Sequence, residues 1–282
     1  MPEKRYLYKY ISYIKAGYNL HNKLRLAIIV AFTNYIVLGK VPGSIGKILI
    51  GVSNLLSQGV TVTMNRLLYN LVDYTSLYIC SPHFEDWAWD YLPVKEGDLF
   101  IDIGAHLGKY SLPIARAVGD KGSVIALEAN SKNHDCLKNN VGLNNLHYIT
   151  VLNIAAWSND ENLEFYPGES SGTGSINKKT GGKHCEISGR SLDSLLEEMA
   201  VGAPVDWIKI DVEGAELEVL KGAKKILCID DPKLLVEVTE DNEVEFEHYM
   251  HKQNYHYCII PESIGVGLKY YYCWKNEDLR GL

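Results

Sequence analysis

"LFIDIGAHLGKYSLPIA", residues 99–115, decides how the chain is read. An apolar run reaches Asp102, a Gly-Ala-His-Leu-Gly turn follows Ile103, and apolar residues then resume at helical spacing. A strand that ends in DxGxxxG and opens a helix lets a ligand approach the backbone, because Gly104 and Gly108 carry no Cβ. In open α/β sheets, ligands bind at the carboxyl ends of strands. The phosphate-binding patterns GxGxxG and GxxxxGK[ST] are both absent. A leading Asp repels a pyrophosphate and suits a ligand with positive charge, such as an ammonium or a sulfonium. The bland alternative is a tight strand-to-helix turn that holds nothing.

Outward from this turn, strand-like and helical apolar runs alternate. Strands are predicted at 98–103, 123–128, 148–154, 205–210, 233–238, 255–260 and 268–274. Helices are predicted near 109–118, 131–144, 191–199, 214–225 and 243–252. Such alternation implies α/β architecture, a parallel sheet with helices on both faces. The last two strands are joined only by PESIGVG, too short for a crossover, so they pair antiparallel and close a seven-stranded sheet. The Gly/Ser/Lys stretch 167–185 is a long loop, either placed to close over the acceptor or a flexible insertion. Upstream, residues 1–55 read as helices with a break near Lys40. GVTVTM (59–64) and LYNLVDYTSLYI (68–79) read as a strand hairpin, and HFEDWAWDYL (83–92) as a short helix. The domains expected are 1–92, a basic helical region with a hairpin, and 93–282, the ligand-binding domain.

The 282 residues are 46% hydrophobic and 22% charged, with a net charge of -7, which does not favour nucleic acid as a partner. The charge is segregated. Residues 1–70 hold nine Lys or Arg and one acid, whereas the remainder holds 19 basic and 34 acidic residues. The six cysteines show no metal-ligand spacing and read as small buried residues, although Cys258 and Cys273 flank the last hairpin and are candidates to face each other. Leu26–Leu38 is apolar but falls short of the ~18–20 residues of a spanning helix, so it reads as a buried or surface-lying helix. With no evident signal peptide, the chain is expected to be cytoplasmic or peripheral at the inner membrane face.

Two further motifs carry chemistry. VIALEAN ends the second strand in Glu128, where an acid can take both hydroxyls of a ribose. The bland alternative is an acid capping the next helix. Asp102 and Glu128 together describe an adenosine ligand bearing an amino-acid moiety, which is S-adenosylmethionine. The segment VDWIKIDVEGAELEVLKGAKKIL (205–227) places Lys209 and Asp211 on one face of a strand, with Glu213 and Glu216 following. These groups are suited to positioning a hydroxyl, removing its proton or holding a divalent cation. Dipole-satisfying acids at a helix start are the alternative, strongest for Glu216.

The segments FIDIGAHLGKYSL, ALEANSKNHDCLKNNVGLNN, NIAAWSNDENLEF, SLDSLLEE and WIKIDVEGAELEVLKGA resemble the FkbM family of S-adenosylmethionine-dependent methyltransferases. The resemblance runs over about residues 93–240, and IDVEGAE is its most specific motif. It implies a class I methyltransferase, Rossmann-like sheet and O-methylation of a sugar or natural-product hydroxyl. It assigns Asp102, Gly104, Ala105 and Gly108 to the methionine end of the cofactor, Glu128 to the ribose, and the region of Asn153, Ala155 and Ala156 to the adenine. His106 and Asn130 are counted with the same site.

For the transfer itself, Asp211 or Glu213 is expected to accept the acceptor's proton, with Lys209 orienting either carboxylate or steadying a developing alkoxide. His106 and His184 are alternative bases, and Glu237 and His184 are candidates to bind the acceptor. No metal is assigned. The expected acceptor is a carbohydrate or glycolipid. Tyr6, Tyr10, Tyr13 and Ile14, with Lys9 and Lys15, form either a surface for anionic lipid headgroups or helices docked on the catalytic domain or in a homodimer interface. A nucleic-acid methyltransferase is disfavoured because Asp211-Val212-Glu213 stands where an NPPY-like motif would. A non-catalytic partner-binding protein is disfavoured by intact Asp102, Glu128 and Asp211, and a nicotinamide dehydrogenase by the missing GxGxxG.

Overall fold

The structure, a computed structural model, describes residues 11–37, 42–168, 170–176, 184–265 and 267–275. It begins with a pair of packed helices, α1 (Leu20–Val37) and α2 (Gly43–Ser57), then β1 (Thr61–Met64), β2 (Leu67–Asn70) and α3 (Tyr74–Ile79). β1 and β2 form the expected hairpin, but β2 stops at Asn70 instead of running to residue 79. The reason is local. Asp73 caps α3 by accepting from the Ser76 amide, and Ser76 accepts back from Asp73, a reciprocal capping box that favours helix over strand. Residues 86–91 form a 3₁₀ turn where a short helix was expected.

The central unit follows as β3 (Leu99–Ile103), α4 (Ser111–Val118), β4 (Ser123–Leu127), α5 (Ser131–Leu143), β5 (Ile149–Leu152), β6 (Ala155–Ala156), β7 (Glu161–Phe165), β8 (Cys185–Arg190), α6 (Leu192–Glu198), β9 (Trp207–Ile210), α7 (Glu216–Lys221), α8 (Lys224–Ile229), β10 (Lys233–Thr239), α9 (Glu243–Lys252), β11 (His256–Ile259) and β12 (Leu268–Trp274). The seven-stranded sheet runs β11-β12-β10-β9-β3-β4-β5. β12 is its reversed strand, antiparallel to both β10 and β11. Every residue of β3 and β9 is buried, as a parallel sheet covered on both faces requires.

Strand alternation divides the core. Leu99, Ile101 and Ile103 pack with Ile208, Ile210 and Phe246 on one face. Phe100, Trp207, Leu235 and Tyr270 pack on the other, in one cluster with Leu26, Ile29, Leu71 and Leu77 of the N-terminal segment. That segment therefore shares a core with the sheet. Two asparagines of α5's end fasten the hairpin: Asn144 exchanges hydrogen bonds with the Leu68 backbone at 2.8 and 2.9 Å, and Asn140 accepts from the Asn70 amide at 2.7 Å.

Four sequence expectations are corrected here. The helix expected at 214–225 is two, broken at Gly222, where a Cβ would lie 1.9 Å from the Trp157 carbonyl oxygen. A separate three-stranded sheet, β6-β8-β7, forms between residues 155 and 190, where no strand was expected. Cys258 pairs opposite Tyr272 and Cys273 opposite Tyr257, so the two cysteines point to opposite sheet faces; Cys185 and Cys228 are exposed, not buried. Tyr13 is buried against Tyr78 and offers nothing to a membrane, while Tyr6, Lys9 and Tyr10 lie outside the described residues.

Candidate active site

β3, β4, β9 and β10 bring their carboxyl ends to one edge, and a cavity of about 300 Å³ opens there. Its position follows from the turn after β3. Gly104 has φ +76°, and a Cβ on it would lie 1.9 Å from the Asp211 carbonyl oxygen. Only glycine lets the β3 and β9 turns abut. Gly108 (φ +92°) packs against Leu137 and Leu112 instead, closing the turn onto the helices rather than lining the cavity.

Asp102 lies below the cavity, fully buried. Its Oδ2 accepts from Ser111 Oγ at 2.5 Å, and its Oδ1 has no hydrogen-bond partner among the described residues but stands 3.7 Å from Lys209 Nζ. Burial pushes its carboxyl up against the opposing pull of Lys209 and Ser111. The register explains the encounter, since Asp102 and Lys209 are directly opposed on β3 and β9.

Glu128 follows β4 and lines the cavity. One oxygen accepts the His106 amide at 2.7 Å, and the other the Asn130 amide at 2.9 Å, so two backbone donors fix the carboxylate in place. Burial nevertheless pushes its pKa up to about 7. Asn153 does not reach the cavity; its amide donates to the carbonyls of Glu128 and Ala129 and holds their turn. Ala155, Ala156 and Ile154 line an apolar slot beside it with Phe165. Ala105 and Asn130 also line the cavity.

The opposite half is a chain of ionisable groups, of which Lys209, Glu237 and Tyr270 are placed on one sheet face by strand alternation and register. Lys209 Nζ lies 3.1 Å from Asp211 Oδ2, as their i, i+2 spacing predicts. Lys209 is 1% exposed, yet Asp211, Asp102 and Glu85 outweigh its burial and keep its pKa raised. Burial and then the Asp211 charge push Glu237 far above the usual carboxylate range, so of the two Glu237 is the one that holds a proton, hydrogen-bonded to Asp211. Burial alone would raise Asp211, but Lys209 and hydrogen bonds from Glu237 and Tyr270 hold it below the usual carboxylate range. Tyr270 faces Glu237 across the β10–β12 register, its hydroxyl 3.1 Å from Asp211 and 3.2 Å from Glu85. Glu85 in turn accepts from Lys109 Nζ at 2.6 Å and Tyr110 OH at 2.8 Å. Asp211 is thus a fixed carboxylate between a neutral acid, Glu237, and a buried cation, Lys209, with the Lys109–Glu85 pair beside them.

Glu213 also lines this mouth, but in a turn before α7, with φ +48°, rather than in the helix. Glu216 turns inward, is fully buried, and accepts from the Gly214 amide and from Asn242, so it shapes the turn. His106, also at positive φ, lines the cavity with Nε2 2.8 Å from Ser171 Oγ, and burial lowers its pKa to about 4. His184 stands apart on the surface near Glu164. Residues 170–176 strap the cavity. Ser171 is bound by its amide to Asp73 (2.7 Å), by its carbonyl to Asn133 (2.8 Å) and by its hydroxyl to His106, and Ser175 donates to the Glu213 carbonyl at 3.0 Å. Glu85, Lys109, Tyr110, Ser171 and Tyr270 are absent from the sequence reading. Lys109 and Tyr110 alone had a signal, sitting directly after the glycine turn. Among the described residues, no group of three or more His, Cys, Asp or Glu is arranged to hold a metal ion.

A model of the methyltransferase FkbM domain matches residues 102–257. No curated protein matches. Among solved structures, the chain is similar to a methyltransferase FkbM from Methylobacillus flagellatus KT, at 15% identity and a TM-score of 0.49, covering 95% of this chain and 59% of that one. The chain thus spans about three-fifths of that protein's length. It is also similar to M. jannaschii TYW2 in complex with AdoMet, at 15% identity and a TM-score of 0.47, covering 77% of this chain and 85% of that one.

Proposed function

The chain belongs to the FkbM methyltransferase family, and from that premise we propose that it transfers a methyl group from S-adenosylmethionine to a hydroxyl oxygen of a sugar, glycan or glycolipid. The residues fit this cofactor. Glu128 offers a fixed carboxylate for vicinal ribose hydroxyls, and the slot of Ile154, Ala155, Ala156 and Phe165 suits a flat base. Gly104 and Ala105 leave the backbone open between them. When bound, S-adenosylmethionine supplies an electrophilic methyl group on a sulfonium.

The observation that carries the acceptor reading is the Asp211–Glu237–Lys209 group. A hydroxyl that gains a methyl must lose its proton, and the proton becomes strongly acidic only as the new bond forms. Asp211, held ionised, accepts it at Oδ1 or Oδ2 without needing a raised pKa. Glu237, held neutral, donates to Asp211 and fixes its orientation. Lys209 balances the charge from beneath. Tyr110 and Tyr270, neutral well beyond ordinary tyrosine pH, keep Glu85 in place at the rim.

The test is methyl transfer from tritiated S-adenosylmethionine to a panel of hydroxyl-bearing sugars and glycolipids. A labelled product that resists alkaline hydrolysis, as an ether does, supports the reading. Label that saponifies, or that appears only on amines or nucleic acid, overturns it.

A further inference from the structure

α2 is inside out for a helix of a water-soluble body, and α1 is apolar on its outer face as well as its inner one. α2 buries Gly46, Ser53 and Ser57 and turns Ile45, Ile48, Val52 and Leu55 outward, at i, i+3, i+7 and i+10. α1 turns Leu20, Leu24 and Ile28 outward, at i, i+4 and i+8, while Leu26, Ile29 and Val30 fill the core. Leu20, Leu24, Ile48 and Leu55 each expose between 60 and 73% of their surface. These are two full apolar stripes on packed neighbouring helices, not scattered residues. The small buried residues of α2 let the helices approach, and Arg25 pins them by donating to the carbonyls of Leu56 and Gln58.

The charge around the stripes is of one sign. Residues 4–72 contain no Asp or Glu, and exposed Lys15, Lys23 and Lys47 flank the apolar surface. The rest of the chain carries the excess of acids. No helix among the described residues is long and apolar enough to cross a membrane.

We infer that the outer face of α1 and α2 docks on the surface of an anionic lipid bilayer. Apolar side chains enter the interface while the lysines meet the headgroups. An anionic surface attracts this end and repels the acidic remainder, which fixes the orientation. A second copy is the weaker occupant, because a self-complementary contact between these faces would bring the lysines of both copies into one interface with no acid from either helix to receive them. The inference rests on the surface alone and stands apart from the methyl acceptor.

The experiment is co-flotation of the full chain with vesicles of phosphatidylcholine alone or mixed with phosphatidylglycerol. The protein is expected to bind the mixed vesicles at least roughly tenfold more tightly than the neutral ones, and to release as salt is raised. Lys23→Glu with Lys47→Glu should weaken binding by roughly tenfold or more. Leu24→Gln with Ile48→Gln and Leu55→Gln should abolish it while calorimetric binding of S-adenosylmethionine is unchanged, which shows the variant folded. Absence of binding to mixed vesicles overturns the inference. So does a dimer in sedimentation that the triple variant dissociates, since the face would then be covered by a second copy.

Discussion

Lys209→Met tests whether the buried cation organises the site. Lys209 Nζ stands 3.1 Å from Asp211 and 3.7 Å from Asp102, with essentially no solvent around it. At an effective dielectric of ~20, each contact is worth roughly 5 kcal/mol before the ammonium's desolvation is subtracted. Removing the cation leaves two buried carboxylates without a counter-charge, and breaking a buried pair in this way costs ~3–5 kcal/mol. Met approximates the stem's volume, so little of that loss is cavity. The sign of the pH dependence follows. Without Lys209, both carboxyls titrate above their unfolded value in the folded state. The stability gained by protonating them is present at low pH and lost as pH rises through the raised values. Urea denaturation should therefore show the full deficit near about pH 8 and a smaller one near about pH 5. Adding Asp102→Asn should recover roughly half the loss, because one buried charge is gone. A deficit below ~1 kcal/mol, or one independent of pH, would refute the reasoning.

Other expectations follow from single side chains. Asp211→Asn should bind S-adenosylmethionine within ~3-fold of the parent and lose ~10²–10⁴ of its transfer rate; an unchanged rate in a radiolabel assay removes Asp211 from the chemistry. Glu128 titrates at about 7, so cofactor affinity should rise as pH passes through that value and its carboxylate ionises. Glu128→Gln should bind more weakly with a flat pH profile by calorimetry. Gly104→Ala places a Cβ against the Asp211 carbonyl at positive φ, so a loss of at least ~2 kcal/mol in thermal unfolding is expected; a neutral substitution would show that the two turns need not abut.

Much of the sheet was legible because its signals are local. Alternation sorted Ile101 from Asp102 and Ile208 from Lys209, and the short PESIGVG connection dictated the reversed strand. The cofactor side was legible in the same way, since Gly104 and Glu128 follow strands that the sequence marks. On the acceptor side Lys209, Asp211, Glu213 and Glu237 were legible, but the groups that hold them were not. Glu85 and Tyr270 are 185 residues apart and meet only because β12 inserts beside β10. Ser171 reaches His106 from a Gly/Ser stretch expected over the acceptor, but its composition does not say which residue bonds to which. Asp102 and Gly108 carried the right motif but the wrong detail, because a motif fixes the turn and not which of its side chains face the cavity. His184 had only its place in the loop to recommend it, and the end of the three-stranded sheet carries it outward.

The central claim is that the cavity at the carboxyl ends of β3, β4 and β9 holds S-adenosylmethionine. Isothermal calorimetry of the full chain with S-adenosylmethionine and with S-adenosylhomocysteine tests it directly. Saturable binding of both is expected at one site per chain, weakened at least roughly tenfold by Glu128→Ala, which removes the ribose acceptor. Absence of heat with either ligand from folded protein, or binding indifferent to that substitution, would contradict it.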